Sequence, residues 1–270
     1  MPQHNDLDLE NWKDYSDLLT DSLWLFDERS RGDGHKGDYH GNFVPQIPHQ
    51  LIRRFTRAGE TVLDPFLGSG TTLLECLRLG RSGVGSDIDP AATKLARGRL
   101  RSAPNELGVS TAVVTGDAAA VKTKTALRKA LGESGAAQLL ILHPPYHDVV
   151  RFSDRPGDLS RAPNVERFVE MFERVFDNLA DLLEPDRHCA LVIGDAYARS
   201  RWIPLGFRLM DAVLRRPAFV LKSVIVKNMT GNRAKRNREN LWRYRALKGG
   251  YYIFKHEYVF LFQKSGEESS

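Results

Sequence analysis

The stretch Thr61–Leu74, TVLDPFLGSGTTLL, allows few folds. Val62 and Leu63 form a short apolar run that stops at Asp64, glycines follow at 68 and 70, and apolar residues at helical spacing begin at once with Leu73, Leu74 and Leu77. This order predicts a strand, a tight turn and a helix N-terminus. The glycines let the backbone approach a ligand, Ser69, Thr71 and Thr72 supply hydroxyls, and the first N–H groups of the helix favour a carboxylate or phosphate. Asp64, at the strand end, could receive an ammonium or a hydroxyl. Because many βα corners close this way with no ligand, the turn needs a second motif beside it.

That motif is Leu139–Tyr146, LLILHPPY, an apolar strand-like run that opens onto His143, Pro144, Pro145 and Tyr146. Together, DPFLGSGTT and HPPY resemble the cofactor-binding and catalytic motifs of the amino-group DNA methyltransferases, which use S-adenosylmethionine to modify adenine N6 or cytosine N4. The resemblance covers about Tyr39 to Lys264. It departs at His143, where the family usually has Asp, Asn or Ser, so both base types stay open.

The resemblance implies a cofactor cradle of Asp64, Phe66, Gly68, Ser69, Gly70 and Thr71. Phe43 corresponds to a residue that closes over the methionine end of the cofactor, although core packing explains it equally well. Downstream, SGVGSDI reads as a second strand ending in Asp87 and Ile88, and a carboxylate at that tip is placed for ribose hydroxyls. Asp89 precedes Pro90 and reads as a helix cap. A third strand, TAVVTGDA, ends at Asp117, which resembles by position the family's acidic partner of the adenine amino group and reads equally well as a cap.

An exocyclic amine is a poor nucleophile because its lone pair is delocalised into the ring. In the family, two acceptors localise that lone pair: the side chain of the first tetrapeptide residue and the carbonyl of the first proline, here His143 and Pro144. Pro145 stiffens the turn, and Tyr146 stacks on the flipped base. An imidazole accepts a hydrogen bond only while one ring nitrogen is unprotonated, which predicts activity that falls as pH drops through its pKa.

Strand tips at Asp64, Asp87, Asp117 and His143 fall at the carboxyl ends of successive parallel strands, which predicts one crevice. A polar loop, residues 147–164, leaves from it. An amphipathic helix over Val165–Leu183, a strand CALVI, a helix PLGFRLMDAVLRR and strands at 222–228 and 256–264 complete an α/β pattern. The expected architecture is a Rossmann-like methyltransferase fold: a mostly parallel seven-stranded sheet with an antiparallel last strand pair and helices on both faces. Residues 1–40 read as an N-terminal arm with a short amphipathic helix, 41–264 as a single domain, and 265–270 as a tail.

The formal charge is +5 over 270 residues, and its distribution decides what that means. Between Lys222 and Lys255 there are ten Lys or Arg against one acid, Glu239, interleaved with Trp242, Tyr244, Tyr251 and Tyr252. Arg233, Lys235, Arg236, Arg238, Trp242, Arg243 and Arg245, within a basic insertion at 228–255, are the candidate nucleic-acid contacts. DNA is the expected partner and RNA a less favoured one. No large recognition domain separates Asp117 from His143, so target recognition falls to residues 147–164 and 228–252, or to a separate recognition subunit or restriction partner. A catalytically inactive nucleic-acid-binding subunit is the alternative from another class. No apolar run reaches the ~20 residues of a membrane span, and the polar start carries no secretory signal, so a cytoplasmic protein without membrane contact is expected. Cys76 and Cys189 have no pairing or metal-ligand spacing and read as buried thiols, with no metal expected.

Overall fold

The computed structural model describes residues 3–30, 35, 42–146, 153–198, 201–229 and 239–266. Its strands are β1 (Leu23–Trp24), β2 (Thr61–Asp64), β3 (Ser82–Asp87), β4 (Thr111–Thr115), β5 (Ala137–Leu142), β6 (Leu183–Ile193), β7 (Ala196–Ala198), β8 (Arg201–Ile203), β9 (Phe219–Asn228) and β10 (His256–Lys264). The helices are α1 (Gln46–Phe55), α2 (Thr71–Leu79), α3 (Pro90–Ser102), α4 (Val121–Ala130), α5 (Val165–Leu179), α6 (Leu205–Leu214) and α7 (Glu239–Gly249).

Eight strands form one sheet in the order β1-β9-β10-β6-β5-β2-β3-β4. From β6 to β4 all neighbours are parallel, and β10 runs antiparallel to both β6 and β9. This is the Rossmann-like sheet expected, with one addition. The two-residue β1 joins β9 in parallel and makes the eighth strand.

Alternation along the strands explains why helices cover both faces. Leu63, Leu140, Leu142, Cys189, Leu191, Phe260 and Phe262 share one core with Phe168, Phe172 and Phe176 of α5. Their neighbours Val62, Leu139, Ile141, Ala190, Val192, Val259 and Leu261 share the other with Ile47, Leu51 and Ile52 of α1 and Cys76 of α2. Side chains on successive strand residues point to opposite faces, so a run such as LLIL must bury both sets. Each fully buried phenylalanine of α5 contributes about 1.5–3 kcal/mol relative to an exposed one. Both cysteines are free and buried.

Local structure departs from expectation at four places. The arm holds a single 3-10 turn, Trp12–Asp14, and no α-helix among its described residues; Trp24 is its main buried anchor. The fifth long strand, β6, begins at Leu183 rather than Cys189. A short hairpin, β7–β8, follows it, and its aromatic residues meet the chain after α7, Tyr197 stacked on Tyr251 at 4.3 Å and Trp202 edge-on to Phe254 at 5.3 Å. Finally, the basic insertion contains α7.

Candidate active site

Strands β2 and β5 are parallel neighbours, with Val62 opposite Leu139 and Leu63 opposite Leu140. The glycine turn after Asp64 and the His-Pro-Pro-Tyr turn after Leu142 therefore leave the same edge of the sheet, on strands about 4.8 Å apart. Residues 42 and 43 join them. The Asn42 Oδ1 accepts from Ser69 Oγ at 2.5 Å, and the ring of Phe43 lies 4.7 Å from that of His143. Asp87 ends β3 and Asp117 lies two residues beyond β4, so all four expected tips share one edge.

The turn itself is built by backbone conformation. Gly68 and Gly70 have φ of 52° and 90°, a region costly for residues with a Cβ, and a Cβ on Gly70 would sit 3.2 Å from that of Ala96. Thr71 and Ser69 are buried in the turn, and Phe66 is half-buried beside it. Asp64 is buried, with 1% of its surface exposed. Its Oδ1 accepts from the Phe66 N–H at 2.9 Å, its Oδ2 accepts from Thr72 Oγ1 at 2.6 Å, and burial pushes its pKa up to about 7. Both carboxylate oxygens of Asp64 thus help to shape the turn, with Thr72 as its side-chain partner.

Asp87 ties that turn to β3: its Oδ2 accepts from the Gly68 N–H at 2.8 Å and its Oδ1 from the Asp89 N–H at 2.9 Å, while burial raises its pKa. Asp89 caps α3 through the Ala91 N–H, as expected. Asp117 Oδ1 accepts from the Ala119 N–H at 2.9 Å. Gly157, from the polar loop, lies so close that a Cβ there would collide with Asp117 Oδ2 and come within 3.0 Å of Ile88. Buried Asp158 holds this part of the loop by accepting from the N–H and hydroxyl groups of Ser153 and Ser160. Two carboxylates at successive tips, flanked by half-buried Ile88 and Phe66, suit a nucleoside, whose hydroxyl and amino hydrogens are donors and whose base is apolar on its faces.

At the second turn, His143 is half-buried between Phe43 and Tyr146, and no hydrogen bond among the described residues occupies its ring nitrogens. Burial lowers its pKa to about 4, so the imidazole is neutral at physiological pH and the expected sensitivity moves to more acid conditions. Pro144 is buried and Pro145 half-buried. Tyr146 donates to Glu257 Oε2 at 2.8 Å, and Glu257 Oε1 accepts from Lys227 Nζ at 2.8 Å. Neither residue of that pair was anticipated. The available signal was phase: Glu257 shares a strand face with Val259 and Leu261, and Lys227 with Ile225, where a charge is rarely buried without a partner.

A third network fastens His35, and His49 of α1, onto α2. Buried Glu75 receives His35 Nε2 at 2.7 Å and Arg78 Nη2 at 2.6 Å, with His49 Nδ1 3.4 Å away. Burial alone would raise its pKa, but these partners hold it at about 2.

Of the proposed nucleic-acid contacts, Arg233, Lys235, Arg236 and Arg238 lie outside the described residues. Trp242, Arg243 and Arg245 lie on α7, with the Arg245 guanidinium 5.4 Å from the Trp242 ring. Leu241, Tyr244 and Leu247 of the same helix are exposed.

Residues 3–97 match the family described as DNA methylase, of the N6/N4 type. The chain is 38% identical over 63 residues to the Type II methyltransferase M.MjaII of Methanocaldococcus jannaschii, covering 23% of this chain and 12% of that protein. It is 36% identical over 99 residues to the Type II methyltransferase M2.DpnII of Streptococcus pneumoniae, covering 35% and 34%. The matched part thus spans about a third or less of these relatives' length. Among solved structures, TrmN from Thermus thermophilus aligns with a TM-score of 0.52 at 19% identity, over 82% of this chain and 49% of that one, a likeness of fold. The glycine turn and the proline turn thus stand side by side on one sheet edge, and residues 3–97, which carry the first of them, are similar to the DNA methylase family of the N6/N4 type.

Proposed function

We propose that the protein transfers a methyl group from S-adenosylmethionine to an exocyclic amino nitrogen, adenine N6 or cytosine N4, of a base flipped out of DNA. The observation that carries this reading is the contact of Phe43 with His143, which brings a residue beside the glycine turn against the tetrapeptide turn. When bound, the cofactor would supply an electrophilic methyl. Gly68, Ser69, Gly70 and Thr71 would face its methionine end, Asp87 its ribose, and Ile88, Asp117 and Phe66 its adenine. The neutral imidazole of His143 and the Pro144 carbonyl would accept from the amino hydrogens and concentrate the nitrogen lone pair. Tyr146 would stack on the base.

Residues 41–264 act in this reading as one methyltransferase domain that carries the 228–255 insertion, with 1–40 as an arm and 265–270 as a tail. Basic α7, with exposed Arg243, Tyr244 and Arg245, has the mixture of phosphate-binding and stacking groups that DNA requires. Target recognition falls to α7 and to residues 153–164, or to a separate recognition subunit, as in a restriction-modification setting. No helix among the described residues is long and apolar enough to cross a membrane.

The test is incubation of the purified protein with labelled S-adenosylmethionine and either unmethylated DNA or RNA, followed by nucleoside mass spectrometry. Label in N6-methyladenine or N4-methylcytosine of DNA is expected. Label only in RNA moves the substrate to that polymer, and cofactor binding without transfer to either supports an inactive binding subunit.

A further inference from the structure

Tyr146 reaches its partner across an intervening strand. In the sheet β6 separates β5 from β10, yet the phenol of Tyr146, just beyond β5, donates to Glu257 on β10 at 2.8 Å. Gly194, immediately after β6, makes this crossing possible: a Cβ there would stand 3.1 Å from Tyr146 Cε2 and 3.6 Å from Glu257 Cβ. The ring therefore lies over a position with no side chain to displace it.

Glu257 is held in turn. It pairs in register with Lys227 across the antiparallel β9–β10 ladder, and the two make an ion pair at 2.8 Å with 6% and 5% exposure. An isolated hydrophobic pair would fill this site without the desolvation cost of two charges. What the ion pair adds is a fixed acceptor for one phenol, since the second carboxylate oxygen takes the Tyr146 hydrogen. Lys227, together with the hydrogen bond from Tyr146, holds the Glu257 pKa below its ordinary value against the opposing effect of burial, so the acceptor stays charged.

We propose that Glu257, set by Lys227, is a positioning residue of the active site: it locks the Tyr146 ring in the plane needed to receive the target base. This rests on the methyl-transfer reading above. Without the anchor the ring turns about its side-chain bonds, and the base is presented to His143 and Pro144 less often in the reactive geometry.

The experiment compares wild type, Y146F, the double variant K227M/E257L, and the triple variant combining them. K227M/E257L removes both charges together, so that neither is left buried alone. Each protein is labelled with 3-fluorotyrosine for 19F NMR, with Y146F identifying the Tyr146 resonance, and each is assayed with labelled S-adenosylmethionine and unmethylated genomic DNA. The expected result is a Tyr146 resonance shifted toward the solvent-exposed position in K227M/E257L. Turnover should fall about 10–100-fold, with less than a ~3-fold change in cofactor Kd. In the Y146F background the same double substitution should change turnover less than ~2-fold, because the anchor acts only through the hydroxyl. An unmoved Tyr146 resonance, or losses that multiply independently in the triple variant, overturns the proposal. Absence of label in DNA with the wild-type protein instead overturns the methyl-transfer reading, and the positioning role with it.

Discussion

The ring of Phe43 lies against the imidazole of His143, centroids 4.7 Å apart and planes tilted by 38°. This contact removes water from one face of the imidazole, and burial lowers the pKa to about 4. The neutral ring therefore persists well below pH 6. Single-turnover methylation should stay flat from pH 8 to about 5.5 and decline only as pH approaches 4, if the reaction needs an unprotonated nitrogen. A decline centred near pH 6.5 would show that burial does not lower the pKa of the accepting imidazole.

The same shift makes a stability prediction of definite sign. His143 and His188 both have folded-state pKa values of about 4, below the ordinary 6.5, each lowered first by burial. The unfolded chain binds protons more readily between those values, so stability is complete above pH 6.5 and lost as pH falls toward 4. The slope is at most about 1.4 kcal/mol per pH unit for each imidazole. Urea titrations across that range should show the loss, and H188Q should reduce it.

Glu75 extends the acid sensitivity downward. Its pKa is about 2 against an ordinary 4.5, so its contribution is present above pH 4.5 and lost as pH falls through 2. Removing the carboxylate at neutral pH leaves His35, His49 and Arg78 without their common acceptor. E75A should cost about 3–5 kcal/mol in chemical denaturation and speed proteolysis near residue 35. An E75A protein as stable as wild type would show that the Glu75 network does not stabilise the packing of α1 on α2.

Two glycines should separate folding from ligand binding. Gly70 has φ of 90°, so G70A should destabilise the protein by about 1–2 kcal/mol as well as weaken cofactor binding. Gly157 has ordinary φ but abuts Asp117 and Ile88, so G157A should weaken cofactor binding, measured by calorimetry, with a smaller change in melting temperature. Equal loss of stability in both would place Gly157 in the fold rather than the pocket.

Charge reversal on α7 tests the nucleic-acid face. R243E/R245E should weaken DNA binding several-fold at low salt, flatten the slope of log affinity against log salt by about 1–2, and leave cofactor affinity unchanged. An unaltered salt slope would show that these exposed side chains do not touch phosphates.

The sequence by itself determined the sheet, because apolar runs such as LLIL bury both faces and because glycines at 68 and 70 mark the βα corner between β2 and α2. It also carried the two motif turns and the order of the strand tips, since chain order and parallel connections place successive tips at one edge. Only the tertiary structure decided which way each polar group faces. Asp64 turns inward because Thr72 and the Phe66 N–H reach it first, and Gly157 meets Asp117 through a loop whose path no periodicity encodes. The Tyr146–Glu257–Lys227 chain is made of bonds between residues 111 and 30 positions apart in sequence. Their meeting depends on β10 lying between β6 and β9, and such an insertion is set by long-range strand pairing rather than by any local pattern.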